Sequence, residues 1–378
     1  MNDFENVCLC ALNSIFGYEP RVARALIESM GTASAVFSLS DDCKDRILGN
    51  KYRRRLCQEE LDKAGISLER AAAAGAEFIG ITSPDYPARL KQCPDAPAGL
   101  FVRSRDSLRK VFSTRHFVAV VGTRDLTPYG ETQCRELVRK LSLSEQPPCI
   151  VSGLALGVDI VAHTEALQSG MPGIAVMATG PDDVYPRRHR NFAARLASHP
   201  ASALVTDYPP GTAPIAVNFL RRNRIIAGLS DSVILVESSV RGGGMATCRQ
   251  AFSYDRNVFV LPGRLGDLHS EGCNLLVREG IAEIINSLDD LNLRLGLGAD
   301  VKHRSERRLE DRYSGVLPED KFRMMGKILA LVRSRPGIGM EEMASLLECK
   351  FSRLSELVNL LESDGFISTD LLRRCTLL

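Results

Sequence analysis

The chain has 378 residues, 44% of them hydrophobic and 25% charged, enough apolar content for two or three globular domains. Its formal net charge is only +2, so any polyanion it binds must meet a local patch rather than a cationic coat. None of the eleven cysteines forms a CxxC pair, which leaves a zinc site without support; an odd number in apolar runs fits reduced thiols in the cytoplasm.

The N-terminus, MNDFENVCLCALNSIFG, carries early acids and no basic segment, unlike a secretory signal. No apolar run reaches the roughly 18 residues of a membrane span. Residues 1–75 are expected to form a helical domain. PRVARALIESMG has Pro at its start, helical apolar spacing and Gly at its end. SLERAAAAGAEFIG continues as an alanine-rich helix that leads into a short strand.

Six short apolar runs follow: FVAVVGTRD (117–125), PCIVSGLALG (148–157), GIAVMATG (173–180), ALVTDYPPG (203–211), SVILVES (232–238) and NVFVLPG (257–263). Each ends in Gly, Pro, Ser or Asp, and helical patterns separate most of them. Strand, loop and helix in repetition predict a parallel, doubly wound α/β sheet spanning about residues 76–290. Residues 291–318 are charged and contain Gly without apolar period, and are expected to be a linker. Residues 319–378 predict three amphipathic helices and a strand in FIST, an order like that of a winged helix. They carry nine Lys+Arg against nine Asp+Glu, so a structural or protein-binding role fits this module better than phosphate binding.

In open α/β sheets, ligands bind at the carboxyl ends of the strands. The first such loop holds Gly122, Thr123 and Arg124. It lacks the further glycines of a dinucleotide fingerprint, but its backbone N–H groups and the guanidinium suit a phosphate. The second holds Ser152 and Gly153 before a helix on which Asp159 and His163 stand four apart. That pair fits an internal, helix-orienting hydrogen bond better than a general base or half a metal site. The third has Tyr185 beside Arg187, Arg188, Arg190 and Arg195 and no acid from Val184 to Thr206, as a nucleic-acid strand would want. The fourth, NFLRRNRIIAGL, places Phe219, Arg221, Arg222, Asn223 and Arg224 just ahead of a buried strand. Arg221 and Arg224 share a helical face, and Arg222 sits beside Ile226 and Leu229. The fifth opens a helix with Gly242, Gly243 and Gly244, after a strand that ends in Glu237. These loops read as a phosphate-binding surface. No serine-nucleophile order, paired-carboxylate motif, phosphate loop or metal cluster accompanies them.

The ordered motifs VAVVGTRDLTPYG, IVSGLALGVDIVAHTEAL, GIAVMATGPDDVYPRRHRN, NFLRRNRIIAGLSDSVILVE, GGGMATCRQA, VFVLPG and EGCNLLVREG resemble the DNA-processing protein A family, also called DprA or Smf. The resemblance covers about residues 80–285 closely and the flanks more loosely. It implies an extended Rossmann-like domain that binds single-stranded DNA without sequence specificity and has no established catalytic activity. It also implies a homodimer that loads the recombinase RecA onto strands coated by single-strand-binding protein, in natural transformation. No cofactor is implied. The family's phosphate-contacting arginine falls on Arg124, its Ser-Gly on Ser152 and Gly153, and its Phe and Arg-Asn-Arg on Phe219 and Arg222 to Arg224. Thr123 stands where the family commonly has Ser, and Gly242-Gly243-Gly244 where it commonly has Ser-Gly-Ser. A basic residue that often precedes the Phe is absent from PIAVNF. An alternative reading is a Rossmann-like nucleotide or nucleoside hydrolase using Glu237 and the Gly242–Gly244 loop. A third makes the C-terminal module the main partner site and the sheet its scaffold.

Overall fold

A computed structural model describes residues 3–297, 309–310, 312–313, 315–335, 337–370 and 373–377. The chain divides into two compact units: Met1–Ser142 with Gln146–Leu297, and Leu143–Glu145 with Gly298–Leu378.

The first unit is built on a nine-stranded sheet. Its strands are β1 (Glu77–Gly80), β2 (Gly99–Arg103), β3 (Phe117–Val121), β4 (Cys149–Ser152), β5 (Gly173–Val176), β6 (Ala203–Thr206), β7 (Ser232–Leu235), β8 (Asn257–Val260) and β9 (Glu283–Ile284). They lie in the order β1-β2-β6-β5-β4-β3-β7-β8-β9. From β6 to β9 all neighbours are parallel, while β2 pairs antiparallel with both β1 and β6. The six apolar runs are β3 to β8, and the strand expected after the alanine-rich helix is β1. The strands β2 and β9 were not anticipated.

Alternation along β3 shows why these runs are apolar throughout. Ala119 and Val121 face one core, which also holds Val151, Val233 and Leu235. Val118 and Val120 face another, with Ile150 and Ile234. A sheet covered on both faces leaves no polar side to its strands. The first core runs on without a break into the N-terminal helices through Leu9, Leu12 and Phe16, so those helices share the sheet's interior.

Of the expected linker, residues 298–308, 311 and 314 lie outside the described residues. Its first residues complete the helix Leu288–Arg294. The second unit contains the three expected helices, Glu319–Ser334, Met340–Leu346 and Phe351–Ser363. It also has a small antiparallel sheet in the order β10-β12-β11, formed by β10 (Ile338–Gly339), β11 (Ile367–Thr369) and β12 (Arg374–Leu377). The FIST strand is β11; its partners were not anticipated. Lys321, Arg335 and Arg353 each face a carboxylate, on Glu356, Glu342 and Asp320. Among the described residues no helix is long and apolar enough to cross a membrane.

Candidate nucleic-acid interface

The sheet reverses its winding at β3: β4, β5 and β6 succeed one another on one side, and β7, β8 and β9 on the other. The loops after β3 and β7 therefore diverge at the carboxyl edge, where a doubly wound sheet has its natural crevice. A cleft of about 320 Å³ opens there. Gly122 to Asp125 form one wall, Phe219, Leu220 and Asn223 another, and Gly242 to Gly244 a third, with Arg222 and Asp159 among the lining residues. Three of the five loops singled out in the sequence thus meet around one space.

Gly122 permits this close approach. A Cβ there would lie 2.5 Å from Val158 Cγ2 and 2.8 Å from the Glu237 carbonyl oxygen. The Thr123 N–H donates to that same carbonyl (2.8 Å), pinning the loop to the end of β7. Arg124 leaves this rigid base exposed and lays its guanidinium over the Phe219 ring, 4.8 Å from the centroid. Tyr185, 45% exposed, meets the same ring edge-on, with centroids 5.5 Å apart. The third loop therefore reaches the site through its aromatic residue. Arg187 and Arg188 follow on a 3-10 turn, both exposed and without an ion pair among the described residues. Arg190 is bound to Asp183 at 3.1 Å.

Opposite Arg124, the helix Gly243–Ser253 begins at the cleft with glycine at its first two positions. An N-terminus without side chains offers unsatisfied N–H groups and partial positive charge to an anion. Asn223 donates from Nδ2 to the Gly243 carbonyl (3.3 Å), which ties this entry to the helix Ala216–Leu229.

The floor is a buried polar network. Arg222 is 3% exposed, and its Nη1 donates to the carbonyls of Gly153 (2.7 Å) and Val176. Its Nε donates to Asn223 Oδ1 (3.2 Å). Burial pulls its pKa down to about 10, so it stays charged at neutral pH. Asp159 accepts from the N–H groups of Gly153 (3.1 Å) and Ala155 (3.3 Å); burial raises its pKa, and the charge of Arg222 opposes that rise. A Cβ on Gly153 would overlap the guanidinium of Arg222. The Ser152 hydroxyl is fully buried and donates to the Val120 carbonyl (2.7 Å). Ser152, Gly153 and Arg222, all expected to contact DNA, accordingly shape the floor, and the Ser152 hydroxyl is committed inside the sheet.

The expected bond between Asp159 and His163 does not form. Asp159 turns back to cap the loop, while both ring nitrogens of His163 are buried without a well-formed hydrogen bond. Desolvation lowers the pKa of His163 to about 4.

Arg221 and Arg224 lie outside the cleft. Arg224 is 8% exposed, forms an ion pair with Asp207 and donates to the Asp95 carbonyl (2.7 Å). Arg221 donates to the Gly17 carbonyl and stacks on Tyr18, 3.8 Å from its ring centroid. The shared face of these two arginines is thus the one turned to the N-terminal helices. Sequence reasoning missed Tyr18, for which the only signal was an aromatic residue between Gly17 and Pro20.

Glu237 is 2% exposed, and its carboxylate accepts from the N–H (3.0 Å) and hydroxyl (2.5 Å) of Thr127. It locks the first loop from behind and is absent from the cleft lining. Among the described residues no group of three or more His, Cys, Asp or Glu side chains is arranged to hold a metal ion.

The family model described as DNA recombination-mediator protein A matches residues 77–296. Protein Smf of Escherichia coli (strain K12) is 40% identical over 221 residues, 58% of this chain and 57% of its own length. The chain thus spans little more than half of that relative. The solved structure of DNA processing protein A from Streptococcus pneumoniae matches with a TM-score of 0.63 and 29% identity, over 74% of this chain and 94% of the other. That of DNA processing protein A from Helicobacter pylori, concerned with its single-stranded DNA binding mode, matches with a TM-score of 0.52 and 31% identity, over 59% and 97%.

Proposed function

This chain belongs to the DNA recombination-mediator protein A family, and from that premise we propose that it binds single-stranded DNA without regard to sequence and acts as a recombination mediator. On this reading it is a cytoplasmic homodimer without catalytic activity that loads RecA on single strands during natural transformation. The observation that carries the DNA-binding part is Arg124 held over Phe219, facing a glycine-opened helix N-terminus across the cleft. One cation, one aromatic face and a row of backbone donors can hold a phosphate and stack a base of any identity. The exposed Arg187 and Arg188 beyond Tyr185 extend the positive surface along a backbone. The second unit, read as a winged-helix-like module, serves contacts other than DNA, because residues 319–378 carry as many acidic as basic side chains and Lys321, Arg335 and Arg353 already face carboxylates.

Fluorescence anisotropy with oligo(dT) and a mixed-sequence oligonucleotide at several salt concentrations tests this. Similar affinities are expected for both, with log K falling linearly against log salt by about 0.7 per phosphate held. Strong base preference, or affinity indifferent to salt, would refute it. For the RecA step, the protein should raise RecA-dependent ATP hydrolysis on strands coated by single-strand-binding protein. The hydrolase reading gains nothing from Glu237, whose carboxylate is occupied by Thr127. Release of free base from nucleoside monophosphates at catalytic turnover would revive it.

A further inference from the structure

A second groove, of about 510 Å³, lies where the helix Ala216–Leu229 meets the N-terminal helices. Its lining includes Tyr18, Arg21, Arg221 and Arg224. Tyr18 is 63% exposed although the Arg221 guanidinium covers one face of its ring. Arg21 is exposed, carries no ion pair among the described residues, and stands in the first turn of the helix Pro20–Met30. Arg224 is buried beneath the groove, its guanidinium held by Asp207 and the Asp95 carbonyl.

We infer that this groove is a second nucleotide site, and that one DNA strand runs from the Arg124–Phe219 cleft around the helix Ala216–Leu229 to stack a base on Tyr18. The inference rests on the DNA-binding reading above. Four side chains mark the path. At about 100° per residue, Phe219, Leu220, Val217 and Arg221 follow one another in that order around the helix. Phe219 lines the first site and Arg221 the second. Between them Leu220 and Val217 are 58% and 43% exposed, a partly exposed apolar ridge. A helix with its side chains is about 10–12 Å across, so a few nucleotides reach from one site to the other. The occupant of the ridge is therefore the set of unpaired bases between two anchored ends, continuous with the cleft through Leu220. Duplex DNA cannot follow this path, because its bases are paired inward.

The chemistry of the groove selects a base rather than a second deep phosphate. Glu19 and Asp95 line it, accepting from the hydroxyls of Tyr52 and Tyr254, and their charge repels a buried anion. They suit the amino and imino donors of a base, while Arg21 at the exposed edge suits the phosphate beside it.

Length dependence separates the two sites. Oligo(dT) of about five nucleotides fills only the first cleft, and one of about fifteen spans both. Tyr18→Ala should weaken binding of the longer strand at least about five-fold, the low end for one base stacked on an aromatic ring, and leave the shorter unchanged. Arg21→Ala should weaken only the longer, Tyr18→Phe should bind both as wild type does, and Arg124→Ala should weaken both. An unchanged thermal midpoint for Tyr18→Ala confirms that the fold is intact. If Tyr18→Ala binds the longer strand as wild type, or loses equally on both lengths, the second site is overturned while the first stands. Failure of the wild type to bind either length would overturn both readings.

Discussion

The Arg124 guanidinium lies 4.8 Å from the centroid of the Phe219 ring, joining the loop after β3 to the helix that precedes β7. The two residues are 95 positions apart, and only the winding of the sheet brings them to one edge. Their contact leaves Arg124 exposed while holding its guanidinium over the ring. That is the condition under which a guanidinium loses least freedom on binding a phosphate.

Arg224 is predicted to matter for stability and not for DNA contact. Its ion pair with Asp207 is nearly dry, with side-chain exposures of 9% and 7%. Arg224→Ala leaves the Asp207 carboxylate buried and uncompensated, at a cost of about 3–5 kcal/mol. Urea denaturation should show the loss directly. Affinity for oligo(dT), corrected for the folded fraction, should change less than about two-fold, well under one tenfold step per 1.4 kcal/mol.

Two glycines at the cleft should respond in opposite ways. A methyl group on Gly153 meets the Arg222 guanidinium, so Gly153→Ala should destabilise by about 1–3 kcal/mol through overpacking. A Cβ on Gly243 meets nothing within 4 Å, so Gly243→Ser should fold normally. Its added hydroxyl at the helix entry should hold or raise DNA affinity. Thermal melting followed by anisotropy distinguishes the two outcomes.

His163 gives the protein an acid-sensitive component. Its folded pKa is lowered by desolvation to about 4, against 6.5 for the free side chain. The unfolded chain thus binds the extra proton first, and stability falls as pH drops from about 6.5 towards 4. Above that window the contribution is complete; through it about 3 kcal/mol is lost. As pH falls from about 6.5 to 4, the urea midpoint of wild type should therefore drop relative to that of His163→Leu, which lacks the titrating group. Parallel curves would remove His163 as the cause.

The alternation of the sheet could be read in advance because both faces of β3 to β8 are buried, making each run apolar from end to end. The strand β2 was missed because GLFVR lies outside the strand–loop–helix rhythm and pairs antiparallel. The five loops were legible from their Gly, Ser and Arg content, but the fate of each side chain was not. Arg222 sits one turn before Ile226, a spacing that predicts burial. Nothing local announces that its donors close onto Gly153 and Val176. Arg224 finds Asp207 across 17 positions and Arg221 finds Tyr18 across 203, through packing that no short window contains. The cluster of three arginines near the interior therefore splits into a cleft floor, a buried ion pair and a clamp on the N-terminal helices.

The central claim is that the Arg124–Phe219 cleft holds single-stranded DNA. Anisotropy titrations of oligo(dT) across a salt series, with wild type, Arg124→Ala and Phe219→Ala, test it most directly. Arg124→Ala should cut affinity at least about ten-fold and flatten the salt slope by about 0.7, one phosphate contact. Phe219→Ala should cut affinity by a stacking increment of about 1–3 kcal/mol and leave the slope unchanged. Wild-type affinity and slope in both variants, with melting temperatures unchanged, would contradict the account.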